Sequence, residues 1–211
     1  MVILDQKHTP TEVVANVSRI VTRVIDRLTG DRSDYPLLVA LACKHALKNH
    51  GIQSRILYGS VAWLEVLENH SILWAGTWGD HFGFWVETEL DEVVDLNVSV
   101  AHRKKDHNNP DHRPLYSPPM LWSQEVPKFY RYKPEGVAEV AGLGSRDENW
   151  LKLALEEINL KCTPEALLKD HQDFPNEPMI CSGRKLLDDT IQSFRHYDRA
   201  LSVMGIPSSP F

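Results

Sequence analysis

The sequence predicts an α+β fold: a buried central helix packed on a small antiparallel sheet, with further helices at both ends of the chain. Apolar residues recur at helical spacing through residues 13–28, and residues 37–43 are continuously apolar. The period then changes, because residues 54–98 hold four short segments rich in Val, Ile, Trp and Phe that favour strands. Since these segments are close together in sequence, an antiparallel meander is favoured over parallel crossovers.

The first helix has a start signal and a stop signal. Thr9 is placed as the N-cap, Pro10 as the first helical residue, and Glu12 as the partner that closes a capping box. Apolar residues then follow at helical spacing from Val13 onward, and Gly30 is placed to end the helix.

A second helix is predicted to follow quickly. Ser33 or Asp34 would cap it, Pro36 lies in its first turn, and the segment runs to Gly51. Residues 37–43 are apolar all round the helix, which indicates that this helix is buried rather than half-exposed.

The strand-like segments come next, and a proline-rich stretch follows them. The four segments read SRILYGSVAWLEVLE, SILWAGTW, FGFWVET and EVVDLNV. Residues 101–135 are punctuated by prolines and aromatic residues, which indicates an ordered wrap over the surface.

The sequence predicts mainly helices in the C-terminal part of the chain. Helices are predicted over residues 147–160 and 182–204, with a short helix capped by Thr163 between them. We therefore expect a core domain over residues 1–140 and a helical extension over residues 141–211 that packs on it.

Composition excludes several classes of protein. The net charge of −6 argues against nucleic acid as a partner, because phosphate contacts need a clustered basic surface. No apolar run approaches the roughly 18 residues that a membrane-spanning helix needs, so no membrane partner is expected. Cys43, Cys162 and Cys181 are odd in number and widely spaced, which favours neither disulfides nor zinc. A reducing cytoplasm is the simplest location.

A histidine and an aspartate mark the stretch WGDHFGFWVETELDEVVDLN, residues 78–97. His81 precedes one strand and Asp95 ends the next, and a spaced His–Asp pair suits general-base chemistry because the carboxylate orients the imidazole. The pairing register decides whether they meet, since a one-residue slip turns Asp95 to the opposite face. Gly83 is a plausible bulge that adjusts the register, and Asn97 is the alternative orienting residue.

The order of elements between Pro36 and Asn97 resembles the transglutaminase-like branch of the papain-like cysteine enzymes. ALKNHGIQSRILYG, residues 46–59, is similar to the end of the family's helix and its following strand. HFGFWVETELDEVVDLN is similar to its His strand and Asp strand. The resemblance implies a Cys nucleophile, a His base and an Asp or Asn that orients the His. It implies hydrolysis or acyl transfer at amides, with no cofactor and no metal.

The resemblance places the nucleophile at the first turn of the buried helix, where helix N–H groups favour a thiolate. That place falls near Tyr35 and Pro36, whereas Cys43 lies about 10 Å further along the helix axis. Three alternatives follow. The helix breaks so that Cys43 begins a new one, or Cys43 is a buried core thiol. Alternatively the site is degenerate, with Ser33, Asp34 or Tyr35 in the nucleophile's place.

The leading hypothesis is a cysteine amidohydrolase or acyl transferase that uses Cys43, His81 and Asp95. Trp78 and Trp85 flank His81 and are expected to wall the substrate cleft.

Two other hypotheses remain open. The chain is alternatively a catalytically silent member of the same fold that binds a protein or peptide, with the segment 110–135 as a recognition surface. A metal-dependent hydrolase built on His102, His107, Asp111 and His112 is a third possibility, although their spacing matches no ligand pattern and favours a polar loop.

Overall fold

The computed structural model describes residues 7–67, 72–79, 81–104, 114–116, 118–140, 142–167 and 179–181 of the 211-residue chain. These residues form a mixed α+β fold in which helices pack on a curled sheet. The helices are α1 (Thr11–Thr29), α2 (Pro36–Asn49), α3 (Ser145–Lys161) and the short α4 (Pro164–Leu167). Two 3₁₀ helices span Arg32–Asp34 and Val98–Lys104. The helix predicted over residues 182–204 lies outside the described residues.

The sheet has eight strands among the described residues and is larger than the small sheet that the sequence predicts. The strands are β1 (Ser54–Leu67), β2 (Ile72–Thr77), β3 (Gly83–Thr88), β4 (Val93–Asp95), β5 (Pro114–Tyr116), β6 (Met120–Ser123), β7 (Tyr130–Val137) and β8 (Met179–Cys181). Their pairings are antiparallel except between β6 and β8.

The first helix begins one residue later than its sequence signal indicates. Pro10 is the N-cap residue of α1 and makes no side-chain capping hydrogen bond, so the predicted capping box is wrong. Thr9 bonds instead to the buried Glu92, with its N–H 2.9 Å and its Oγ1 2.5 Å from the carboxylate oxygens. The predicted stop is confirmed, because Gly30 follows the helix at φ 86°, a conformation that favours glycine.

The central helix is buried as the apolar run predicts. Seven of its side chains, from Leu38 to Leu47, are buried. The predicted caps are wrong, because Ser33 and Asp34 belong to the preceding 3₁₀ helix and Tyr35 is the residue before α2.

The predicted meander is wrong, because β3 pairs with β1 and not with β2. β1 is 14 residues long, enough for two six-residue strands to lie in succession along one edge. β3 pairs with residues 54–59 and β2 with residues 61–66, while β7 occupies the other edge over residues 57–63.

The chain leaves the edge of β1 after β2 ends at Thr77 and returns to it where β3 begins at Gly83; we call this segment the excursion. Thr77 lies opposite Val61 and Gly83 opposite Gly59, so only Ser60 of β1 lies between the two pairings. Glycine is needed on both sides of this excursion. A Cβ on Gly76 would lie 2.3 Å from the Val61 carbonyl oxygen, and one on Gly83 would lie 2.4 Å from Val61 Cγ2.

Two buried clusters cover the two faces of the sheet. The helical face joins α1, α2 and α3 to side chains such as Ile56, Val86 and Val94. The opposite face is formed by large aromatic and aliphatic side chains, among them Trp63, Trp85, Leu121 and Tyr130.

Candidate functional site

A cavity of about 600 Å³ opens where the chain leaves the sheet between β2 and β3. Its walls come from Ser33 and Pro36 before and at the start of α2, from the middle of β1, from residues 76–78 and 81–84, and from four residues between Asp95 and Ala101. The volume falls within the range of roughly 300–1,000 Å³ that is typical of ligand-binding sites. Of the five site residues in the leading hypothesis, Trp78, His81 and Asp95 line it. Ser33 and Asn97, which the sequence offers as alternatives, line it as well.

Aromatic side chains form much of the wall. Trp63, Trp78, Phe82 and Phe84 all line the cavity. Phe82 is partly exposed, and Tyr58 supports it edge-on with ring centroids 5.3 Å apart. Apolar walls exclude water and thereby strengthen the polar contacts made inside.

Asp95 is the buried carboxylate of the cavity. Its Oδ1 accepts the backbone N–H groups of Asn97 (2.8 Å) and Val98 (2.9 Å), and its Oδ2 accepts the Tyr132 hydroxyl (2.9 Å). Burial raises the pKa of Asp95 from 3.8 to about 6, while these hydrogen bonds and the Arg32 charge act in the opposite direction. Asp95 therefore caps the turn after β4 and is ionised above about pH 6.

Asn97 lies two residues further on and also lines the cavity. Its side chain is 5% exposed, and its buried Oδ1 accepts no hydrogen bond from any residue that the structure describes. A buried acceptor without a partner costs about 1–3 kcal/mol, so the great majority of such groups in proteins are paired. The Asn97 oxygen is thus an acceptor for which the described part of the fold supplies no donor.

His81 lies at the exposed side of the cavity and is not hydrogen-bonded to Asp95 among the described residues. The register explains the separation. Val86 lies opposite Val94, which places Trp85 level with Asp95, whereas His81 lies four residues earlier in the chain, before β3 begins.

Ser33 lines the cavity at the start of α2, beside a buried arginine. The Arg32 side chain is 1% exposed and forms an ion pair with Asp26. Its guanidinium also donates to the Leu96 carbonyl (3.4 Å) and to Ser99 Oγ (3.3 Å). These bonds join the two 3₁₀ helices into one wall and fix the position of Ser33.

Cys43 is a buried core thiol and is not among the residues that line the cavity. Burial raises the pKa of Cys43 well above its usual range, and the nearby Cys162 and Asp95 add to the shift. α2 runs unbroken from Pro36 to Asn49, so the alternative in which the helix breaks at Cys43 is wrong.

The two tryptophans proposed as substrate walls have different environments. Trp78 lines the cavity. Trp85 is not among the lining residues: it is 2% exposed and packs in the same cluster as Trp63, edge-to-face on Tyr132 with ring centroids 5.1 Å apart.

Of the loop histidines, His102 lies in the second 3₁₀ helix, while His107, Asp111 and His112 lie outside the described residues. Within the part of the chain that the structure describes, no three His, Cys, Asp or Glu side chains are grouped to hold a metal ion. No helix in that part is both long and apolar enough to cross a membrane.

Sequence reasoning missed three residues that shape the site. Val61 and Trp63 line the cavity and alternate on β1, so the strand's two-residue period could have placed both on one face. Tyr132, which donates to Asp95, is 37 residues away from it in sequence and carries no local signal.

No protein-family model matches the chain, and no curated protein matches it at a significant level. Among solved structures, the chain is similar to the crystal structure of a genomics target, with 11% sequence identity and a TM-score of 0.48. The alignment covers 87% of this chain and 100% of that one. At this identity and TM-score the likeness says nothing about the chemistry of the cavity.

Proposed function

We propose that this chain is a catalytically silent member of the transglutaminase-like fold that binds a peptide in the cavity beside α2. The observation that carries the proposal is the composition of the cavity wall. His81 and Asp95 lie there among aromatic side chains, and no cysteine is among the described residues that line it.

The competing hypothesis is a cysteine amidohydrolase or acyl transferase that uses Cys43. Such an enzyme needs a thiolate within hydrogen-bond reach of its base. Burial holds the Cys43 thiol in its protonated form, and the side chain packs in the helical core. His81 has no hydrogen-bond partner among the described residues that would orient it as a base.

A peptide suits the groups that the cavity presents. Trp78, Phe82 and Phe84 offer apolar surface to a side chain. Asp95 offers a carboxylate acceptor for an N–H donor, and the exposed His81 is placed to contact the part of the peptide that extends out of the cavity. A few fixed polar groups on aromatic walls are typical both of non-catalytic binding sites and of enzyme active sites.

Thiol labelling tests the absence of cysteine chemistry. With dilute iodoacetamide at pH 6.5, we expect Cys43 to be labelled slowly and at the same rate in wild type and His81→Ala. The reason is that the buried Cys43 thiol stays protonated in both proteins. Cys162 is the internal reference, since burial raises its pKa to about 12. Fast labelling of Cys43 that collapses in His81→Ala would establish the cysteine enzyme instead.

Peptide binding is tested by saturation-transfer NMR with pools of tripeptides blocked at both ends. We expect some members to receive saturation from the wild-type protein and to lose it with Ala101→Trp, which fills the cavity. Ser145→Trp adds the same bulk at an exposed site on α3 and is the matched control. If no tripeptide binds, or if Ala101→Trp binds them unchanged, the proposal is wrong.

A further inference from the structure

The backbone groups of β3 point alternately to its two neighbouring strands. The Glu89 N–H, just after β3, donates to the Gln53 carbonyl beside β1 (2.9 Å), whereas the Thr88 N–H donates to the Glu92 carbonyl on the β4 side (3.0 Å). Both bonds continue the registers in which β3 pairs with β1 and with β4. Because successive residues of an antiparallel strand direct their N–H and C=O groups to opposite sides, every even-numbered residue of β3 directs them to the β4 side.

This side is occupied at Val86 and vacant at Phe84. Val86 lies opposite Val94, but the pairing with β4 extends no further toward the start of β3. The same register would put Leu96 opposite Phe84, yet Leu96 follows the end of β4, and no backbone hydrogen bond joins the two residues. Among the described residues, the N–H and C=O of Phe84 therefore have no hydrogen-bond partner.

The turn after β4 explains the vacancy. Asp95 Oδ1 accepts the N–H groups of Asn97 and Val98, and the chain enters a 3₁₀ helix at Val98 instead of continuing the strand. Gly83 and Phe84 line the cavity from β3, while Asp95, Asn97 and Val98 line it from the β4 side. The position in which the ladder would continue is therefore part of the cavity.

The vacant position has the hydrogen-bonding pattern of a strand edge. In an antiparallel pair, two residues that lie opposite each other exchange both of their backbone hydrogen bonds. A donor and an acceptor spaced as in one residue of a strand are thus matched by one residue of another extended chain. Peptides that bind by strand addition gain affinity from such main-chain bonds, and pockets beside the strand select their side chains.

From this geometry we infer that a peptide binds in the cavity by its main chain, as a short antiparallel addition to the free edge of β3 at Phe84. One residue of the peptide donates its N–H to the Phe84 carbonyl and accepts the Phe84 N–H. It thereby takes the ladder position that Leu96 leaves vacant. The aromatic walls then contact the side chains of the peptide. The inference rests on the proposed function and names how the peptide is held.

Amide exchange at Phe84 tests the inference directly. The full chain is labelled with ¹⁵N-phenylalanine and ¹⁵N-tryptophan, and the probe is acetyl-Ala-Phe-Ala-methylamide, whose ring suits the aromatic walls. We expect the Phe84 amide to exchange quickly with water in the free protein and at least about tenfold more slowly with saturating probe, because it gains an acceptor. The Trp85 amide is the internal reference, since it faces β1 and should exchange slowly with and without probe.

N-methylation of the probe identifies the peptide residue that pairs. Three probes each carry one N-methyl group, on the first, second or third residue. We expect one of them to bind at least about tenfold more weakly than the parent, because it lacks the N–H that the Phe84 carbonyl accepts. The other two should differ from the parent by less than about threefold, because their methylated nitrogens point away from β3.

Two variants separate the Phe84 backbone from its ring. Phe84→Ala and Phe84→Pro both remove the ring, but only Phe84→Pro also removes the N–H. We expect Phe84→Pro to bind the probe at least about tenfold more weakly than Phe84→Ala does. Proline is tolerated at strand positions whose N–H has no partner, and circular dichroism checks that both variants fold. If Phe84→Pro does not fold, amide exchange in the wild-type chain decides.

Two results would overturn the inference and leave peptide binding standing. The first is a tripeptide of the pools that binds while the Phe84 amide exchanges as fast as in the free protein. The second is slow exchange of the Phe84 amide before any probe is added, because the edge would then already be paired. If no tripeptide of the pools binds, the proposed function and the inference are both wrong.

Discussion

Asp95 links the backbone of a turn to the wall of a cavity. Its carboxylate accepts two backbone N–H groups and one tyrosine hydroxyl, which offset part of the cost of burying a charge. The offset is incomplete, since burial still raises the pKa of Asp95 to about 6. The folded chain therefore binds a proton at Asp95 more strongly than the unfolded chain does.

The raised pKa of Asp95 predicts that this residue lowers stability as pH rises. The stabilisation from protonation is complete below the ordinary pKa of 3.8 and is lost as pH rises through about 6. The loss between those limits amounts to about 3 kcal/mol at most. We expect the free energy of unfolding, measured in urea from pH 4 to pH 8, to fall less steeply in Asp95→Asn than in wild type. If the free energies of unfolding of wild type and Asp95→Asn changed with pH in parallel, the raised pKa of Asp95 would be contradicted. The asparagine keeps the Oδ1 acceptor but cannot titrate.

The sequence predicted some site residues and could not predict others. His81 and Asp95 were placed near one another because they flank adjacent strands, and both line the cavity. Their separation could not be foreseen, because it depends on the register of a short hairpin. The environment of Trp85 depends on a distant element, because Tyr132, which packs edge-to-face on it, comes from β7.

At the scale of elements, β1 determines where the cavity forms. Sequence periodicity predicted the four N-terminal strands because each carries its own β-branched and aromatic residues. It did not predict their order, because proximity in sequence favoured hairpins and the length of β1 allowed another solution. The gap between β2 and β3 on its edge is the mouth of the site.

The close approach at this gap predicts that Gly76 tolerates no side chain. A Cβ there would lie 2.3 Å from a backbone oxygen, which can move only with the strand, so Gly76→Ala should cost about 1–3 kcal/mol. Gly142→Ala is the matched control, because nothing lies within 4 Å of its Cβ. Urea unfolding of the two variants measures the difference. Equal stabilities would show that the strands are not held as closely as described.

At the scale of the whole molecule, α3 belongs to the same core as α1 and α2. Ala154, Ile158 and Cys162 are buried in one cluster with the side chains of the two N-terminal helices. The sequence predicted the helix from its own periodicity, but not which helices it would contact. Tyr35 and Trp150 add an edge-to-face contact at 5.2 Å beside the start of α2.

This shared core predicts that α3 unfolds together with the sheet. Ile158→Ala should lower the free energy of unfolding by about 2–5 kcal/mol, because it leaves a cavity between three helices. Leu160→Ala should change it by less than about 0.5 kcal/mol, because Leu160 is 78% exposed. Helical circular dichroism and tryptophan fluorescence should give coincident transitions for both variants. A separate early transition for Ile158→Ala would mean that α3 folds independently of the sheet.

The pairing of β1 on both edges also determines how the molecule opens. Residues 61–63 are bonded to β2 on one side and to β7 on the other. Their backbone amides can exchange with deuterium only when one of those neighbours separates, so they should report the global free energy of unfolding. Among the described residues, Trp78, Gly79, His81 and Phe82 pair with no strand, so their amides should exchange far faster. Val61 and Trp63 in the cavity wall thus belong to the strand whose amides should exchange most slowly. Trp78, His81 and Phe82 at the opening can move to admit a ligand while the core stays folded.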